Sequence, residues 1–128
     1  MAGYSGTPLP QKLGIKDGAR VRLAAAPEGF ARSIGVTSRG RGEADVIVLF
    51  ARSSRELSRE FPRLRKALHP SGGLWVAWPK KASGVATDLA ESAVREFGLA
   101  QGLVDNKVCA IDDTWSGLRF VLRLRDRP

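Results

Sequence analysis

Two apolar runs, ADVIVLF at residues 44–50 and LWVAW at 74–78, constrain this chain more than any other feature. Neither alternates. A strand with one wet face alternates apolar with polar residues, whereas an unbroken run is buried on both faces, as in a parallel sheet between helices. Between the runs lies a helical pattern. Ser53 and Glu56 form a capping box, and Leu57, Phe61, Leu64 and Leu68 follow at helical spacing. Strand, helix, strand is the order of a parallel crossover unit. Pro62 falls inside the helical run and removes a backbone donor, so a kink or break is expected over 58–62. HPSGG at 69–73 is expected to end the segment as a turn.

The flanking sequence extends the same architecture. Residues 1–11 read as an N-terminal arm, Gln11–Ile15 as a short helix stopped at Gly14, and Lys16-Asp17-Gly18 as a turn. Arg20–Ala24 suits a strand, and AAAPEGF after it a loop or short helix opening near Pro27. The stretch 31–44 is weakly patterned, with one short strand expected over Ile34–Thr37. Asp88 and Glu91 repeat the capping-box spacing, with Thr87 as the competing cap; Leu89, Val94 and Phe97 give that helix its apolar side and Gly98 its stop. Residues 103–111 then read as a strand, DDTWSG as a turn, and 118–124 as an alternating strand antiparallel to the one before. The whole is one α/β domain of three layers, its sheet mostly parallel with an antiparallel C-terminal hairpin strand.

Composition narrows the function classes. The chain has 128 residues, enough for one core. A single cysteine, Cys109, rules out an internal disulfide and a CxxC metal site, and the single histidine, His69, speaks against a Ser-His-Asp triad. The apolar runs are far shorter than the roughly 18 residues a membrane span needs. With no basic stretch and apolar core at the N-terminus, the cytoplasm is the expected compartment. Lysine and arginine number 21 against 13 acids, a formal charge of +8, which favours anionic partners and admits nucleic acid.

Several segments carry a resemblance. GYSGTPL at 3–9, LGIKDG at 13–18, LWVAWPKKASGVATDL at 74–89 and GLVDNKVCAIDDTWSGLRFVLR at 102–123 resemble a small bacterial family of domains of unknown function. More loosely, LRKALHPSGGLWVAW is similar to the class I methyltransferase segment in which a helix and an LKPGG-type turn lead into a strand. DGARVRLAAAPEGF sits where those enzymes place their first strand and glycine-rich loop. The resemblance implies a reduced Rossmann-like fold. The glycine-rich loop is replaced by Ala24-Ala25-Ala26-Pro27-Glu28-Gly29, and 31–44 leaves little room for the acidic residue that holds the ribose. No cofactor is therefore expected.

In an open α/β sheet, ligands bind outside the carboxyl ends of the strands. The loops APEGF, ARSS, PKKASGVAT and DDTWSG are expected to share that rim. Lys80 and Lys81 offer positive charge, Ser83 and Thr87 hydroxyls, Gly84 close backbone approach, and a helix starting near Asp88 free N–H groups. Together they would bind a small anion; alternatively the lysines are solvated and the hydroxyls only cap the helix. Trp75 and Trp78, three apart on a strand, point to opposite faces. Trp115 and Asp113 would form the pocket wall. Asp112 and Asp113 would serve as acid or base in an enzyme, or simply form the turn. Cys109 reads as a small apolar residue rather than a nucleophile. Arg55, Arg59, Arg63 and Lys66 make a basic stripe on the first long helix, and Arg119, Arg123 and Arg125 another along the final strand, read as an exposed edge. These stripes carry the nucleic-acid alternative. Pairing of two copies through the final strand is open, and the oligomeric state is not set.

Overall fold

A computed structural model describes residues 6–128. Its five strands, β1 (Val21–Ala24), β2 (Ala44–Phe50), β3 (Leu68–Pro79), β4 (Leu103–Ala110) and β5 (Trp115–Leu122), form one sheet in the order β1-β2-β3-β5-β4. β1, β2 and β3 are parallel, and β5 pairs antiparallel with both β3 and β4. β4 therefore runs in the same direction as β3. Four strands point one way, and their carboxyl ends share one rim.

Helices α1 (Leu9–Lys12) and α2 (Phe30–Ser33) lie on one face of the sheet, and α3 (Ser54–Lys66) and α4 (Glu91–Ala100) on the other. The unbroken apolar runs are explained by this sandwiching. Ile47 and Leu49 pack with Leu57, Phe61 and Leu64 of α3, while Val46, Val48 and Phe50 pack with Leu13, Phe30 and Ile34. Trp78 belongs to the first set and Trp75 to the second, so the two tryptophans do face opposite ways, and both are core. The Trp75 indole N–H, fully buried, donates to the Leu13 carbonyl at 3.0 Å, which ties the N-terminal segment to the sheet.

Several local expectations need correction. The first helix lies at Leu9–Lys12 rather than Gln11–Ile15, with Pro10 accommodated in its first turn. Residues 1–5 of the expected arm lie outside the described residues. No strand forms over Ile34–Thr37; Ile34 instead ends α2 and buries its side chain. α3 runs through Pro62 without a break: the carbonyl that loses its donor belongs to Ser58, on the exposed side where water is at hand. Leu68 and HPSGG belong to β3, whose pairing with β2 jumps from Ala44↔Leu68 to Val46↔Gly73, so the irregularity accommodates Pro70. Gly98 lies inside α4, where a Cβ would overlap the Phe120 ring; the chain turns instead at Gly102, φ +89°. β5 is an interior strand, and β4 is the edge.

Candidate functional site at the carboxyl rim

The four rim loops meet as the topology requires. The Arg52 side chain leaves the end of β2, lies 5.0 Å over the Trp115 ring, and directs both terminal nitrogens at the Ala25 carbonyl, 3.5 Å away, in the loop after β1. Glu56, one turn into α3, sits 3.6 Å from the same guanidinium. From the other side, the Lys80 amide donates to Thr114 at 2.8 Å, joining the loop after β3 to the turn after β4. Arg52 and Lys80 thus engage the adjacent residues Trp115 and Thr114.

Trp115 is only 5% exposed and packs edge-on to Phe50, 5.0 Å between ring centres. It seals the core beneath Arg52 rather than standing free as a pocket wall. Asp112 is a turn-former: one carboxylate oxygen accepts from the Thr114 and Trp115 amides, each at 2.8 Å. Asp113 beside it is exposed.

In the loop after β3, Lys81–Ser83 forms one turn of 3-10 helix closed by Gly84 at φ +76°, a conformation that suits glycine. The Ser83 hydroxyl donates to the Lys80 carbonyl at 2.6 Å and accepts from the Val85 amide, so it holds the turn. Thr87 accepts from the Leu89 amide. The helix expected near Asp88 starts at Glu91, with Ala90 as an uncapping N-cap. Asp88 instead reaches across the rim to α3, accepting from the Ser54 amide at 2.8 Å and its hydroxyl at 2.6 Å. Those bonds hold the Asp88 carboxyl below the usual carboxylate range, with the Ser54 hydroxyl the larger cause. Ser53 caps the same helix through the Glu56 amide, 3.1 Å away. The rim thus keeps Lys80 and Lys81, with no carboxylate bound to either among the described residues.

Elsewhere, Arg59 and Arg63 of the α3 stripe both pair with Glu60. Arg123 donates to the Leu99 carbonyl. Cys109 is half-buried, and burial pushes its thiol pKa up, against activation as a nucleophile. Among the described residues no cluster of acids, histidine and cysteine would hold a metal, and no helix is long and apolar enough to cross a membrane. The sequence placed the ARSS loop on the rim but gave Arg52 no role of its own, since the neighbouring capping box accounted for the segment. Its position immediately beyond a doubly buried strand was the available signal.

No protein-family model matches the chain, and no curated protein matches it. Among the solved structures that do match is a ribosomal protein L11 methylase from Lactobacillus delbrueckii subsp. bulgaricus. The two share 12% identity, with a TM-score of 0.52, and the match covers 92% of this chain and 67% of that one. At that identity the likeness defines the class of fold alone: a small Rossmann-like, methyltransferase-like α/β domain. The S-adenosylmethionine such a fold implies does not fit these residues. The loop after β1 has alanine at its left-handed position, Ala25 at φ 56°, and its carbonyl faces Arg52. Between α2 and β2 there is no further strand to carry a ribose-binding acid.

Proposed function

We propose that this domain is a non-catalytic binding module that takes a small anionic ligand, or an anionic group of a partner, at the carboxyl rim of its sheet. It reads as a reduced relative of the methyltransferase fold, and its WPKK and KVCAIDDTWSG segments resemble a small bacterial family of domains of unknown function. The observation that carries the reading is the meeting of the loops after β2, β3 and β4, where the Arg52 guanidinium lies over Trp115 and the Lys80 backbone amide is held by Thr114, so that Arg52, Lys80 and Lys81 belong to one rim, with no carboxylate bound to either lysine among the described residues. Cations gathered on one rim suit a phosphoryl or carboxylate group. Ser83, Gly84 and Thr87 hold the loop that presents the lysines. The turn-forming bonds of Asp112 and the sealing position of Trp115 favour binding over acid-base chemistry.

The test is calorimetric titration of the full chain with inorganic pyrophosphate. Lys80→Ala combined with Lys81→Ala is expected to weaken binding at least tenfold while the thermal transition stays in place, as for loss of charge-assisted contacts. Unchanged affinity in that double variant would overturn the reading.

A further inference from the structure

The opposite end of the sheet holds a basic group that the rim does not explain. Arg119 lies on the α1 side of β5, directly beside Trp75 of β3 in the strand register. Its side chain lies flat across β3: a Cβ on Gly73 would overlap its Nε and Cζ, so glycine at 73 is what lets the guanidinium rest there. The only bond it makes among the described residues is a long one, 3.4 Å, to the Asn106 side-chain oxygen. Among the described residues no carboxylate pairs with it. A guanidinium has five N–H donors, and apart from the bond to Asn106 those of Arg119 are left to solvent, where a ligand can take them. Burial and the nearby Arg127 both push the Arg119 pKa down from its ordinary value, burial the more strongly.

Arg119 stands between two adjoining cavities, of about 350 Å³ and 200 Å³. Ser71 and Gly72 line both of them. Lys16 lines the first and Arg127 the second. The acids in the first are Asp45, whose carboxylate is taken by the Arg20 side chain at 2.8 and 3.1 Å, and Asp17 in the entry turn. The larger space falls in the range of small-molecule sites.

We propose that these joined cavities form a second ligand site, at the amino ends of the parallel strands, which binds a small molecule through a phosphoryl or carboxylate group seated on Arg119. Gly73 gives the Arg119 side chain its seat, and Gly72 lets the chain pass close to the Asp45 backbone on the wall of both cavities. Arg119 supplies a fork of donors, and Lys16 and Arg127 supply charge from either side; the Ser71 hydroxyl is taken by His69 Nδ1 at 2.9 Å. The site is separate from the rim, since the residues lining its two cavities include none from the rim loops.

The test uses the full chain and follows the Arg119 Nε–H signal by nitrogen-15 NMR during titration with inorganic pyrophosphate, and separately with citrate, at constant ionic strength. A saturable shift with either probe is expected, and the backbone amides of Ser71 and Gly72, which line both cavities, report binding in the variants, with affinity at least tenfold weaker in Arg119→Gln and intermediate in Arg119→Lys, which keeps the charge and loses the fork. Affinity at this signal is expected to be unchanged in the Lys80→Ala, Lys81→Ala variant, so failure of the rim site and failure of this one are separate results. No saturable shift with either probe up to about 10 mM, weaker than any useful affinity, would overturn the proposal. So would equal binding by wild type and Arg119→Lys with pyrophosphate, because a site that reads only charge is not the fork described here.

Discussion

At the scale of single residues, the fold uses side chains of opposite character to fix its geometry. Asp45 begins β2 by taking both the amide and the guanidinium of Arg20, and these bonds hold its carboxyl down to about 2 from an ordinary 3.8. A depressed carboxylate stabilises the fold fully above its unfolded pKa, and that contribution is lost as pH falls through the folded one. Thermal melts between pH 6 and pH 2 are therefore expected to show a loss below about pH 4. Asp45→Asn should lower the melting temperature near neutrality and flatten that acid limb. An acid limb of the same depth in Asp45→Asn would assign the loss to other groups. Gly98 works by absence: the Phe120 ring occupies the space of its Cβ. Gly98→Ala, though favoured by helix propensity, is expected to cost about 1–3 kcal/mol in denaturant unfolding. The sequence alone reads Gly98 as a helix stop, because a glycine near the end of a periodic run carries the same signal whether it caps a helix or admits a ring. Only the partner strand distinguishes the two.

At the scale of elements, the start of α3 joins two loops of the rim. Ser53 caps it from within the segment, and Asp88 closes the next amide from the loop before α4. Ser53→Ala is expected to cost about 1 kcal/mol, the usual effect of losing such a cap. Asp88→Ala should also lower stability, and should in addition loosen the loop that presents Lys80 and Lys81, visible as faster amide exchange over 84–90. Exchange there that matches wild type would remove Asp88 as the tie between the loops. The local pattern exposed the Ser53 cap, since its partner lies three residues away. It hid the role of Asp88, whose partner lies 34 residues back and whose spacing to Glu91 imitates a cap for the wrong helix. Pro62 shows the same limit in reverse: its cost depends on which side of the helix faces water, and the exposed Ser58 makes it tolerable.

At the scale of the whole molecule, the parallel sheet was legible because its signal is short-range: runs such as ADVIVLF state their own burial. The convergence of four loops on one rim followed from strand direction alone. The placement of β5 between β3 and β4 did not, because a hairpin pattern specifies pairing with one neighbour and says nothing about the other side of the strand. That misplacement assigned Arg119 to an exposed edge, when it lies half-buried beside Gly73. The rim residues divide similarly: Lys80 and Lys81 stand out by charge, whereas the roles of Arg52, Trp115 and Asp112 depend on contacts between separate loops. The function proposed for this rim is binding of a small anion through its lysines. The most direct measurement is a backbone-amide NMR titration of the full chain with inorganic pyrophosphate at constant ionic strength. Saturable shifts over 80–87 and 112–115 are expected, and are expected to disappear in the Lys80→Ala, Lys81→Ala variant; a titration that leaves those amides unmoved would contradict anion binding at the rim.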